Sequence, residues 1–458
     1  MTQFSNSYPY SYEDECISYK SLFPSFNKKD FDKLDEIYNQ LDIDSEIKKL
    51  FSEYKINTTE DQAALHHVYR SAYGHKISSV NESYYEVAKS SISECIELKE
   101  KLIQKGIKNI VTIGIGGSFE GPKLLLETLT QKYDRSFNHI FLTGPDTKEF
   151  IDEIEPLNKN ETFFIVSSKS FSTDETMQSL VLARAWVGDN LEFKDHFICV
   201  TSQIEKAKIF DFDETSAIQF PNEIGGRYSM WSPISLAAIL ELEEQFTDFL
   251  KGGSLADEKL ISNRDYRQFI KTIIFSDLWH NNFDNKPTRV LLTYSWKLRY
   301  FTDYAQQLEM ESLGKGANNN SYFSKTGQVI FGGFGSTAQH SYFQLLHQGT
   351  SSFCTDIICV DTDKEENELL FAQSQAQAGL LAFGADENLQ DHEKVNGQSP
   401  VNLISLKELN PFNLGYLIAS WEHRVFLTSR MLQINPYDQY GVSAGKIFAR
   451  KYLESNGG

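Results

Sequence analysis

Positive charge is what this 458-residue chain has least of: 44 Lys and Arg stand against 63 Asp and Glu, a formal net charge of −19. A surface that tracks nucleic-acid phosphates or an anionic membrane needs a cationic excess, so the deficit argues against both as partners. It leaves room for a small anion, because a few Arg and Lys grouped by the fold make one recessed pocket locally positive. Cysteine is scarce as well. Cys16, Cys95, Cys199, Cys354 and Cys359 are odd in number, widely spaced and without a C-x-x-C pair, which argues against a disulfide framework and fits free thiols in a reducing compartment. No run of about 18 apolar residues occurs, and the opening MTQFSNSYPYSYEDEC lacks a basic stretch followed by an apolar one. These absences predict a soluble, cytoplasmic protein.

What is present is an ordinary globular composition, 40% apolar and 13% aromatic, in a chain too long for one compact core. Residues 1–105 read as a helical, motif-poor segment containing FDKLDEIYNQL, DQAALHHVYRSAY and YYEVAKSSISECIELKEKLIQKG, the last stopped by Gly106. The period then changes. NIVTIGIGGS, HIFLTGPD, TFFIVSSKS, HFICVTS and AIQFPN are short apolar runs bounded by turn residues, with helix-length stretches between most of them. Such alternation predicts a doubly wound parallel sheet over 106–230. A helical connector, 231–285, leads to a second α/β block, 286–405, with strands in TRVLLTYS, QVIFGGFGS, DIICVDT and VNLISL. In the C-terminal helical segment, 406–458, LGYLIASWEHRVFLTSRMLQ is apolar nearly all round and predicts a buried helix, with His423 a buried, hydrogen-bonded residue.

Chemistry concentrates in a few turns. IVTIGIGGSFEGPKLL runs from a strand through glycines into a helix, a geometry that suits an anion. It matches no nucleotide motif, since Phe119 takes the place of the third glycine of the dinucleotide fingerprint and Lys123 is misplaced for a P-loop. The same turn serves equally as a plain strand-to-helix connection. FFIVSSKSFSTDET sets Ser167, Ser168, Ser170, Ser172 and Thr173 around Lys169 where parallel sheets place their ligand crevice, although Ser172 or Thr173 could simply cap a helix. Two such turns in one sheet read as a shared phosphate cradle. In NEIGGRYSMWSP, Arg227 follows a glycine pair, as either a surface turn residue or a fixed charge aimed at a site.

YAQQLEMESLGKG places Gln307 and Glu311 one helical turn apart on one face, beside an expected buried stripe of Leu298, Phe301, Ala305 and Leu308. Glu309 points elsewhere. FGSTAQHSYFQLLHQGT carries His340 and His347, and DQYGVSAGK carries Gln439 and Lys446.

In order and spacing, GIGGSFEGP, SSKSFSTDET, NEIGGRYSMWSP, QQLEMESLGKG, AQHSYFQLLHQGT and DQYGVSAGK resemble the glucose-6-phosphate isomerase (phosphoglucose isomerase) family over about residues 106–450. The resemblance implies two doubly wound sugar-isomerase-type α/β/α domains embraced by terminal helices, in a homodimer whose active site takes a histidine from the partner subunit. It implies interconversion of glucose 6-phosphate and fructose 6-phosphate without metal or cofactor. By motif position, Gly117, Ser118, Ser168, Lys169, Ser170 and Thr173 would hold the phosphate, with Gly226 and Arg227 at the reacting carbons. Gln307 and Gln439 would line the pocket, Glu311 would carry the proton, and His340 across the interface, with Lys446, would open the ring. Ser170, Leu313, Ser399 and Ser443 depart from the family pattern, which is threonine, asparagine, arginine and glutamate there. A same-fold isomerase of another sugar phosphate, or a binding protein without turnover, are the rival readings.

Overall fold

The computed structural model describes residues 10–188, 190–385 and 389–455. Eleven strands among them form two sheets. The first contains β3 (Asn109–Ile113), β4 (Asn138–Leu142), β5 (Thr162–Ser167), β6 (Phe197–Thr201) and β7 (Ala217–Gln219), in spatial order β4-β3-β5-β6-β7 and parallel throughout. Residues of β5 and β6 are buried along their whole length, as strands covered on both faces must be. Strand order reverses between β3 and β5, so the crevice beyond their carboxyl ends is the natural ligand position in such a sheet.

The second sheet has a parallel core of β8 (Thr288–Thr293), β9 (Val329–Phe334), β10 (Phe353–Val360) and β11 (Val401–Leu406), ordered β11-β10-β8-β9. The N-terminal segment, expected to be wholly helical, departs from that expectation here. β1 (Ser11–Glu13) and β2 (Ile17–Leu22) form a hairpin, and β2 adds antiparallel to β11, making the sheet six-stranded and mixed. The rest of the N-terminal segment is helical, in Lys28–Gln40, Ile43–Leu50, His67–Tyr73 and Glu82–Gln104.

The connector forms three helices, Leu236–Leu242, Gln245–Ser262 and Arg264–Asn282. The apolar C-terminal run becomes helix Pro411–Met431, and almost every side chain in it is buried. Its charged residues are therefore paired. His423 bonds to Tyr266 Oη and Asp257 Oδ1, both at 2.9 Å. Arg424 reaches both oxygens of Asp277 at 2.7 Å and Asp356 Oδ2 at 2.8 Å. Arg289 on β8 lies 2.9 Å from Asp277 and also pairs with Glu309. Glu309 in turn accepts the Trp421 indole N–H at 2.6 Å. This buried ionic cluster ties the helix Phe301–Leu313 to the second sheet and to helix Pro411–Met431, and so fixes where Glu311 stands. Leu298, Phe301, Ala305 and Leu308 are fully buried as expected, although Leu298 sits on a separate short turn, Trp296–Leu298.

Candidate active site

At the carboxyl end of β3 the chain makes a tight turn, Gly116–Ser118, before helix Glu120–Leu129. Gly116 has φ +59°, a left-handed conformation that favours glycine. Gly117 is required for a different reason: a Cβ on it would stand 2.0 Å from the carbonyl oxygen of Gly226. The two glycine turns are thus in backbone contact, which brings Arg227 beside the end of β3. Two amides of the first turn are used within it, Ser118 N–H on Ile115 O at 3.2 Å and Phe119 N–H on Gly116 O at 2.8 Å. The turn accordingly offers an anion its Ser118 hydroxyl in place of those two amides.

After β5 the serine loop is pinned through one carbonyl. Lys169 O accepts from Thr201 Oγ1 at 3.1 Å, from Ser202 Oγ at 3.0 Å and from Ser202 N at 3.2 Å. Phe171 then takes φ +45°, uncommon for a bulky residue, and its buried ring packs on Phe210 and Phe212. The kink leaves Ser170 exposed, bonded to Ser172 at 3.0 Å. Thr173 is the N-cap of helix Asp174–Val187 but makes no side-chain capping bond, so the capping role allowed by the sequence is not the one its hydroxyl takes. Lys169 is half-buried, and burial pushes its pKa below the ordinary lysine value, with Glu60 and Glu223 partly opposing.

Opposite lies a second arrangement. Arg227, only 5% exposed, donates from Nη1 to Pro436 O at 2.9 Å and to Ser312 Oγ at 3.3 Å. Its Nη2 donates to Asp438 O at 3.2 Å and to Gln439 Oε1, and its Nε stands 3.1 Å from Glu311 Oε2. Gln307 Nε2 is 3.4 Å from the same carboxylate oxygen. The helix ends at Leu313, and the LGKG turn that follows directs Lys315 to Asp438, with Nζ donating to the carbonyl oxygen and, at 2.9 Å, to Oδ1. The segment 436–439 is therefore held by two cations.

These groups surround one cavity of about 620 Å³, within the range of small-molecule sites. Lining it are Gly117, Ser118, Ser168, Lys169, Ser170, Thr173, Gly226, Arg227, Gln307, Glu311, Gln439 and Lys446. Of the expected site residues His340 alone is elsewhere; it is exposed at the end of the short helix Gly335–Gln339. His347 bonds to Gln377 at 2.9 Å, outside the cavity. Of the departures, Ser170 lines the cavity and Leu313 is buried at the helix end, whereas Ser443 is exposed on helix Tyr440–Ser455. Ser399 is buried outside the cavity lining, its hydroxyl bonded to Thr355 at 2.9 Å.

Sequence reasoning missed several lining residues, among them Glu60, Glu175, Lys206 and Asn222. Lys206 Nζ reaches Ser170 O at 3.3 Å and adds a second cation to the serine loop. Its place just beyond the carboxyl end of β6 was the available signal. Glu175 Oε2 is buried without a hydrogen-bond partner among the described residues.

A hydroxyl-and-lysine cradle facing an arginine–carboxylate pair, at the switch point of a parallel sheet, defines a sugar-phosphate isomerase class of α/β protein. Residues 24–457 match the family model "Phosphoglucose isomerase", and the chain belongs to that family. It is 33% identical to the glucose-6-phosphate isomerase of Legionella pneumophila (strain Paris) over 99% of this chain and 92% of that protein. To that of Acinetobacter baylyi it is 32% identical, over 96% and 86%. The crystal structure of a glucose-6-phosphate isomerase from Chlamydia trachomatis superposes with a TM-score of 0.87 at 25% identity, covering 97% of this chain and 89% of that one.

Proposed function

We propose that this chain interconverts glucose 6-phosphate and fructose 6-phosphate, and that the observation carrying this reading is the Arg227–Glu311 pair facing the Lys169 cradle across one cavity. The substrate phosphate sits among the hydroxyls of Ser118, Ser168, Ser170 and Thr173, with Lys169 supplying charge. The sugar is mostly cyclic, so opening it requires a proton on the ring oxygen and the loss of one from the anomeric hydroxyl. Lys446 and His340 of the partner subunit perform that exchange. The buried, unpartnered oxygen of Glu175 supports the incoming histidine, because an imidazole N–H would satisfy it.

In the open chain Glu311 takes the proton from the carbon beside the carbonyl, C2 of the aldose, leaving a cis-enediolate. The same carboxyl returns the proton to C1, giving the ketose; the reverse path uses the same groups. Arg227 stabilises the enediolate through a charge it cannot lose, and with its N–H groups bound to Pro436, Asp438, Gln439, Ser312 and Glu311 it does so without reorienting. No step calls for a metal or a cofactor. The working form is a homodimer in the cytoplasm, consistent with five buried free thiols.

A coupled assay tests the reading. Fructose 6-phosphate with glucose-6-phosphate dehydrogenase and NADP is expected to generate NADPH, and no NADPH above the enzyme-free rate overturns it.

A further inference from the structure

Helix Tyr440–Ser455 carries Lys446 over the cavity, yet none of its side chains is buried. Within one protomer, apolar packing therefore does not hold it in place, and a helix of this length is marginal on its own. Val442 and Lys446 line the cavity, and Arg450 continues the same face at the next i+4 position. Arg450 donates from Nε to Asp174 Oδ2 at 2.8 Å and from Nη2 to Asp174 Oδ1 at 2.7 Å, a two-pronged pair. Asp174 directly follows Thr173 of the cradle and opens helix Asp174–Val187. A carboxylate is favoured at that helix end, but beside a bound phosphate dianion its charge is repulsive unless offset. The other end of the strap is anchored differently. Asp438, buried, accepts from Lys315 Nζ at 2.9 Å and from Thr59 Oγ1 at 3.0 Å, and its carbonyl accepts from Arg227.

We propose that Arg450 and Asp174 form a positioning pair that pins the Lys446 helix across the cavity and cancels an acid charge beside the phosphate cradle. The inference rests on the isomerase reading. The two halves of the role separate kinetically: pinning places Lys446 for ring opening and is read in kcat, whereas charge cancellation is read in KM. The pair is exposed, so its weight is that of a surface ion pair with good geometry and it weakens with salt.

The test combines kinetics with hydrogen exchange on the full chain, comparing the native protein with Arg450→Ala, Asp174→Asn and their double variant at low ionic strength. Arg450→Ala is expected to raise KM and lower kcat, with kcat/KM falling about fivefold. Asp174→Asn is expected to lower kcat alone, and the double variant to match Asp174→Asn rather than to sum the two losses. Amides of residues 440–455 are expected to exchange faster in every variant, with the rest of the chain unchanged. Unaltered kcat and unaltered exchange, or additive losses in the double variant, overturn the proposal while leaving the isomerase reading intact. A native protein with no isomerase activity sinks that reading instead, and the exchange data still decide the pair.

Discussion

Arg227 and Glu311 are paired asymmetrically: their Nε and Oε2 stand 3.1 Å apart, but the arginine side chain is 3% exposed and the glutamate 27%. The fixed charge is shielded and the carboxylate is open to the cavity, the division of labour expected of an electrostatic stabiliser and a proton carrier. Glu311→Gln preserves shape and removes proton acceptance. Its expected effect is a kcat lower by about 10²–10⁴ with substrate binding retained, read by the coupled assay and by calorimetric titration. Turnover near the native rate would rule the carboxylate out as the carrier.

Arg227→Lys keeps the unit charge and loses the planar fork. A single ammonium cannot serve Pro436, Asp438, Gln439 and Glu311 together, so the geometry of the site is lost although its sign is not. A kcat reduction of about 10²-fold is expected. Steady-state kinetics that match the native protein would show that charge alone suffices.

Lys169 gives the pH dependence. Burial disfavours its charged form, so in the free protein it loses its proton below the ordinary lysine value, and on the proposed role a phosphate would then be held less well. As pH rises through that lowered pKa, kcat/KM is expected to fall on the alkaline side. Lys169→Arg, which stays protonated, should move that limb upward; an unmoved limb assigns the titration to another group.

Gly117→Ala tests the contact between the glycine turns. The new methyl would stand 2.0 Å from Gly226 O, and backbone must shift to admit it. A loss of about 1–3 kcal/mol in stability, read as a lower Tm, and a drop in activity from displacement of Arg227 are the expected outcome.

Glu309→Ala separates support from chemistry. The substitution leaves Arg289 short of an anion and the Trp421 indole unpaired in a buried cluster. A destabilisation of about 3–5 kcal/mol in denaturant unfolding is expected. Equal stability would mean that Asp277, at 2.9 Å, and Asp356, whose Oδ2 lies 3.4 Å from Nε, suffice for Arg289.

Much of this was legible in the chain itself, for physical reasons that differ by element. Parallel strands such as TFFIVS and FICVT are buried on both faces, so their apolar runs stand out. The glycine turns were legible because close backbone approach demands glycine, and the serine turn because so many hydroxyls around one lysine stand out at the end of a strand. The β1–β2 hairpin was not, since it is an edge ribbon stabilised by a strand far along the chain; only the alternation Ile17, Tyr19, Ser21, all buried, hinted at it. Lys315 and Asp438 stayed hidden because the need for that pair exists only once the 436–439 segment folds back on the Glu311 helix. The same holds for Glu309, a glutamate whose burial depends on an arginine supplied by β8.

The N-terminal hairpin has a consequence for synthesis. Tyr19 on β2 bonds to Asn402 on β11, a partner 383 residues further along. In a chain emerging from the ribosome, the edge of β2 that β11 covers stays open while the residues between them are made, able to join foreign strands. Closure of the second sheet therefore waits for β11, and the hairpin is where a holding chaperone would have the most to protect.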